Sequence, residues 1–357
     1  MAVSVEIEQE RVRFRVDPLH RVRRFGGTIL IALAFGAVVV LAMGKPSGFQ
    51  AALLVLGGAA CGGLGVLVLL FRLGVQLDRG AGEMEQSLGF PFPLFRQRCP
   101  LGEPSRVWIE ARDGGYPIKL EGEGVEHRLG TLYEYPEARR LAEGLAAFFE
   151  CELHDAAAES TQLRRPKELL ETLASRLQQG KEPAPSPKMK DTYGFSVKVV
   201  KGHAEVSIGA RPRLAQVVIL LPLVVAFVFG VLAPFVALEW APLVMGAFAL
   251  GLLTPAVLYI DPHARAVAFR SLSRTEIRAG RGLVTVTWKP PFGPERRVEE
   301  NTRVLRELIS LRANGSGMTP VVMIGEEISE FGEQLTPEEA KCLSDVLRAA
   351  ILGKLRP

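Results

Sequence analysis

Four long apolar runs limit what this chain can fold into more than any other feature. They cover residues 25–43, 51–71, 217–238 and 241–260, and none contains Asp, Glu, Lys, Arg or His. A helix crosses the roughly 30 Å hydrocarbon core of a bilayer with about 20 apolar residues, and each run has that length. The breaks within each pair are short, at residues 44–50 and 239–240, so the runs read as two helical hairpins. The first run starts too far in, and is followed too closely by the second, to be a cleaved signal peptide.

The stretch LGGAACGGLG, Leu56 to Gly65, offers a competing interpretation as a phosphate-binding loop. Gly58 and Gly63 have the P-loop spacing, but Leu64 stands where the lysine belongs, and apolar residues flank both sides. A P-loop needs that lysine and a strand before it. Gly58 and Gly62, like Ala59 and Gly63, are four apart, the small-residue spacing that lets helices approach closely. Helix packing is therefore the expectation here.

Charge suggests an orientation. Arg21, Arg23 and Arg24 precede the first run, Arg72 closes the second, Arg211 and Arg213 precede the third, and Arg265 and Arg270 follow the fourth. Lys45 and Glu239 are alone at the hairpin tips. The positive-inside rule puts both termini and the central region in the cytoplasm of a plasma (inner) membrane protein. With 48% hydrophobic and 23% charged residues, the chain reads as a mosaic of spans and polar segments. Cys61, Cys99, Cys151 and Cys342 show no C-x-x-C spacing, so free thiols are expected rather than a disulfide framework or a zinc site. The net charge of +4 collects beside the runs, which favours anionic headgroups over nucleic acid.

The chain also repeats itself. VSVEIEQERVRFRVDPLHRVRR from Val3 aligns without a gap on FSVKVVKGHAEVSIGARPRLAQ from Phe195. Val5, Ile7, Phe14 and Val16 correspond to Val197, Val199, Val206 and Ile208. Alternation of apolar and polar residues marks each arm as a β-hairpin. YPEARRLAEGLAAFF and TPEEAKCLSDVLRAAI, further on, each open with Pro and Glu and carry one apolar stripe. The stripes are Ala138, Leu141, Leu145 and Phe148 in one and Ala340, Leu343, Leu347 and Ala350 in the other, so each helix should dock on a sheet. RVWIEAR and YPIKLEG resemble VLRELISLRA and TPVVMIG in the same order. Between the copies, RRPKELLETLASRLQQG suggests an amphipathic helix with Leu169, Leu170, Leu173 and Leu177 on its apolar face, lying on a membrane surface or on the first domain. KEPAPSPKMKD follows as an extended linker.

This order divides the chain into an N-terminal β arm (residues 1–24), a transmembrane hairpin (25–72), a first domain (73–154) and a helix with a Pro-rich linker (155–193). A second arm (194–213), hairpin (214–260) and domain (261–357) then follow. Without the hairpins, each repeat counts about seven strands and one C-terminal helix. That layout resembles a pleckstrin-homology-like (PH-like) barrel, and the whole resembles bacterial membrane proteins that carry tandem PH-like domains after paired transmembrane helices. The fold class implied is an α+β membrane protein of two repeats. If the arms do not join the later strands, each is a separate small hairpin beside an ordinary α+β sandwich.

Nothing in the sequence converges on catalysis. His20, His127, His154, His203 and His263 form no H-E-x-x-H motif, and no G-x-S-x-G elbow occurs. Glu326, Glu327, Glu330 and Glu333 alternate with apolar residues as a solvated strand edge and turn would, and WKPPFGPERR, Trp288 to Arg297, reads as a hairpin loop. Ionisable groups are missing from the apolar runs, which argues against a transporter. The expectation is a non-enzymatic multipass scaffold with no catalytic, cofactor-binding or metal-binding residues and no cofactor. Its partners would be the lipid bilayer and a protein bound at the cytoplasmic domains. Headgroup binding, or service as an accessory subunit of a transport complex, are the alternatives.

Overall fold

The structure is a computed structural model that describes residues 5–7, 11–16, 30, 34, 48–70, 72–89, 93–112, 115–122, 124–159, 161–182, 184–187, 189–190, 192–200, 203–210, 273–290, 294–312 and 319–355. The first repeat opens with β1 (Val5–Ile7) and β2 (Arg11–Val16). After α1 (Gly48–Leu70) come β3 (Arg72–Asp78), β4 (Glu83–Gly89) and β5 (Pro93–Pro100). These five strands form one antiparallel sheet in chain order. Next are β6 (Arg106–Ile109), β7 (Tyr116–Gly122), β8 (Val125–Leu132), α2 (Tyr135–Phe149), β9 (Glu152–Asp155) and β10 (Gln162–Arg164). They build a sheet of order β10-β9-β6-β7-β8, in which β6 and β9 run parallel.

A 3-10 turn (Pro166–Leu170) and α3 (Leu173–Gln178) lead to the second repeat. Its first sheet contains β11 (Phe195–Val200), β12 (His203–Ile208), β13 (Arg274–Ala279), β14 (Leu283–Lys289) and β15 (Arg296–Asn301), again in chain order. A three-stranded sheet of β16 (Glu307–Ser310), β17 (Val321–Ile324) and β18 (Ile328–Phe331) precedes α4 (Pro337–Ile351).

Both N-terminal arms join the sheets of their own repeats. Val5 lies opposite Phe14, and Phe14 opposite Val75; in the second copy Val197 lies opposite Val206, and Val206 opposite Ile277. The ungapped alignment of the arms is thus reproduced as one strand register. Alternation explains it: Val12, Phe14, Val75 and Leu77 are buried while Arg11 and Arg13 point outward. A two-stranded hairpin alone is marginal in water, and three more strands give these faces a core.

The two helices also match, at 15 residues each. Leu141 and Leu145 are buried in the first, as are Leu343 and Leu347 in the second. In α2 the chain ends the helix by turning left-handed at Glu150, φ 54°. In α4 a capping box secures the start: Thr336 Oγ1 accepts from the Glu339 N–H, and Glu339 Oε2 accepts from the Thr336 N–H at 2.8 Å.

The repeats share a layer. On β16–β18, Leu308, Val321, Met323 and Phe331 belong to the core beneath α4. Ile309, Val322, Ile324 and Ile328, on the opposite face, pack into the core of the first repeat with Leu141 and Leu145. Main chain stitches the seam as well. Ala158 bridges Leu311, the Glu159 N–H donates to the Ser310 carbonyl at 2.9 Å, and the Arg312 N–H donates to the Ala157 carbonyl at 2.8 Å.

Several expectations need correction. Among the described residues no helix is long and apolar enough to cross a membrane. Three of the four apolar runs lie outside the described residues, apart from residues 30 and 34. Two transmembrane hairpins, a multipass topology and an inner-membrane location with cytoplasmic domains therefore do not stand on the described structure. The fold class changes accordingly, from an α+β membrane protein to a β-rich arrangement, with four sheets among the described residues. The glycine stretch does lie within a helix, and a methyl group at Gly62 would sit 3.3 Å from the Ala34 Cβ, as expected of small residues at a packing contact.

The connector differs from a single amphipathic helix too. Its backbone is extended at Glu171 and Thr172, which divides it into two short pieces. The break sends Leu169 into the first core and Leu173 into the second, and leaves Leu170 79% exposed. A continuous helix could not reach both cores.

A shared layer makes the repeats one cooperative unit. Leu141→Ala and Leu343→Ala should each cost about 2–5 kcal/mol by opening a cavity, and both should lower the midpoint of one common transition in scanning calorimetry. Two separate transitions, each shifted by only one of the substitutions, would contradict the shared core.

Candidate functional site

Among the described residues, the most concentrated group of ionisable side chains lies at the seam. Arg139, on α2, has a side chain only 1% exposed. It donates from Nη1 to Asp155 Oδ2 at 2.5 Å, from Nη2 to Glu307 Oε1 at 3.0 Å and from Nε to Glu143 Oε1 at 2.9 Å. Tyr135, one turn earlier on the same helix, donates its hydroxyl to Asp155. Glu307 also accepts from Arg164 Nε at 3.2 Å, and Glu182 joins Arg164 and Arg176 at 3.0 and 2.9 Å. Arg306 reaches Glu143 at 2.8 Å, and Arg348 approaches Glu182 at 3.5 Å.

Burial sets the electrostatics. Desolvation alone would raise Glu307, but the guanidinium groups of Arg139, Arg164 and Arg176 outweigh it and hold its carboxyl below the ordinary value of 4.5. Tyr135 is pushed well above its ordinary range, first by burial and then by the charge of Asp155, so its phenol stays a hydrogen-bond donor. Glu307 Oε2 is buried without a hydrogen-bond partner among the described atoms. Each acid in this group is held by a base, an arrangement suited to fixing two segments together. A general acid or base would instead need a free proton site facing substrate.

The residues singled out in the sequence do not come together. His20 and His263 lie outside the described residues. His127 pairs across strands with Leu120 on the core face, whereas His154 stacks on Trp108 at 3.6 Å on the opposite face of the same sheet. The two rings therefore cannot share a ligand. His203 covers Gly280, at the end of the β13–β14 hairpin. Glu326 and Glu327 are exposed in the turn between β17 and β18. The buried Glu300 reaches that turn and accepts from the Glu326 N–H at 3.1 Å. Gly325 permits this because any Cβ there would collide with the Glu300 carboxylate. No group of metal-ligating residues occurs among the described residues. The four thiols are free, and burial lifts Cys151 to about 11, which keeps it protonated. Trp288 pairs with Arg296 across β14 and β15, and residues 291–293, on which the expected hairpin loop falls, lie outside the described residues.

A surface feature contrasts with these satisfied interiors. β5 is the outermost strand of its sheet, and among the described residues no other strand pairs with its free edge. Residues 94–98 are all exposed, with Leu94 at 61% and Phe95 at 71%. Its counterpart in the second repeat, β15, exposes only polar or charged residues, among them Arg296, Arg297 and Glu299, whereas β5 exposes Leu94 and Phe95 beside Arg96 and Arg98.

The chain matches no protein-family model and no curated protein.

Function must therefore be read from the residues themselves. Sequence reasoning missed both features. Arg139 adjoins Ala138 of the apolar stripe, and its one local clue was Glu143 four residues later. Nothing in PLFRQRCP distinguishes an edge strand from an internal one.

Glu307 gives a test of the seam. Glu307→Gln should cost about 3–5 kcal/mol at neutral pH by leaving buried guanidinium groups uncompensated. Because the folded pKa lies below 4.5, the wild-type advantage is fully present above that value and is lost as pH falls through the lower folded value. Urea midpoints measured for both proteins down an acid series should converge only below pH 4.5. Convergence already at neutral pH would contradict the network.

Proposed function

We propose that this protein is a non-enzymatic binding module that holds a protein partner by strand addition to the edge of β5. The observation that carries this reading is the exposure of residues 94–98 on an outermost strand bearing two large apolar side chains. Such an edge offers unpaired N–H and C=O groups at the strand repeat, so an extended peptide gains main-chain hydrogen bonds and pockets for alternate side chains. A free apolar edge is also a hazard for aggregation, and natural sheets usually block it with charge. The exposed side chains of β15 are all polar or charged, while β5 carries charge at Arg96 and Arg98 and leaves Leu94 and Phe95 open. The body behind the edge is stiffened by the common core, so binding costs little ordering of the protein itself.

Random extended peptides displayed against the full chain provide the test. Selected binders should slow amide exchange at residues 94–98, and Phe95→Asp should weaken them about tenfold or more. Protection appearing only elsewhere, with binding unchanged by Phe95→Asp, would end this reading.

A further inference from the structure

Resting on that reading of β5, we infer that the partner segment is an acidic one, with carboxylates at alternate positions followed by apolar residues. The register fixes which side chains an added strand would meet. Arg96 lies opposite Ser87 and Arg98 opposite Glu85, so both arginines project from the outer face of the sheet. Phe95 and Gln97 project from the other face, opposite Leu88 and Gln86.

Both arginines of the outer face draw on one carboxylate of β4, although Glu83 stands on the same face opposite Pro100. Arg98 Nε lies 3.0 Å from Glu85 Oε2, and Arg96 Nε lies 3.7 Å from Glu85 Oε1, so two cations share one carboxylate. In the same cross-strand row, Arg13 donates to the neutral amide of Gln76 at 3.0 Å. The side chains of Arg96 and Arg98 are 58% and 65% exposed, free to turn toward a neighbouring strand.

In the register centred on Gln97, a second copy of this chain is a poor occupant. Antiparallel pairing of two β5 strands about Gln97 would set Arg96 opposite Arg98 twice, and like charges directly opposite are destabilising. A strand with Glu or Asp facing Arg98 and Arg96 places opposite charges there instead. Continuing that strand puts apolar residues beside Phe95 and Leu94. From its N-terminus, an antiparallel segment then reads acid, any residue, acid, apolar, apolar.

Three labelled peptides test this against the full-length protein by fluorescence anisotropy. Their central sequences are Glu-Thr-Glu-Val-Val, Gln-Thr-Gln-Val-Val and Lys-Thr-Lys-Val-Val. The acidic peptide should bind about tenfold more tightly than the lysine peptide, and added salt should narrow the gap. In the doubly reversed Arg96→Glu, Arg98→Glu variant the order should invert; circular dichroism checks its fold, and Arg96→Gln, Arg98→Gln, which should abolish the preference, serves if the reversal disturbs it. Equal binding of the three peptides, still sensitive to Phe95→Asp, would overturn the acidic specificity and leave strand addition standing. Failure of all three to bind, or binding indifferent to Phe95→Asp, would overturn both.

Discussion

The ion pair between Arg139 and Glu307 is the constraint on which the arrangement of the repeats depends. A guanidinium group removed from water costs several kcal/mol unless carboxylates take the place of solvent. Two of its partners, Asp155 and Glu143, come from the first repeat, and the third comes from the second. With Glu307 in place, β16 is pinned against α2, and Ile309, Val322 and Ile324 follow into the first core. The connector then closes the assembly, because Arg164, Arg176 and Glu182 lie in the same ionic group as Glu307. Apolar burial supplies most of the driving force at such a seam, and the charges select which faces meet.

What was legible in the sequence was whatever is periodic and local. Val5, Phe14, Val197 and Val206 reveal their strands through alternation, and the structure keeps their spacing as register. The stripes through Leu141 and Leu343 likewise locate helices that dock by one face. Relational features were not legible. Arg139 looks like an ordinary surface arginine until its partner, 168 residues away, is brought beside it. The leucines of the connector suit one amphipathic helix equally well, and only the presence of two cores requires the break at Glu171 and Thr172. Hydropathy of the apolar runs records composition alone, and the described residues contain no helix that meets the requirement for a span. An edge strand has no local mark, since being at an edge is a property of the neighbours.

The two copies keep one element order but divide their work. Ala146 of α2 corresponds to Arg348 of α4, whose Nη2 donates to the Leu308 carbonyl at 2.6 Å. Arg139 corresponds to Lys341, an exposed residue, so α4 lacks a counterpart of the buried arginine at the centre of the ionic group. The outermost strands of the two meanders diverged in the same way, one charged and one partly apolar. A repeat unit tolerates such changes where each copy contacts something different, and here α2 lies between its own sheet and that of the other repeat while α4 packs on its own.

The sharing of β16–β18 also has a consequence for how the chain is made. During synthesis the first repeat emerges complete with α2, but the sheet that covers the outer side of that helix lies far downstream. Glu307 follows Arg139 by 168 residues, which at ribosomal speed is on the order of 10–30 s. Throughout that interval the nascent chain carries a half-covered apolar face around a guanidinium group whose final partner does not yet exist. The same seam that makes the finished protein a single body therefore leaves its first half the more vulnerable one, open to chaperones or to aggregation until the last third of the chain arrives.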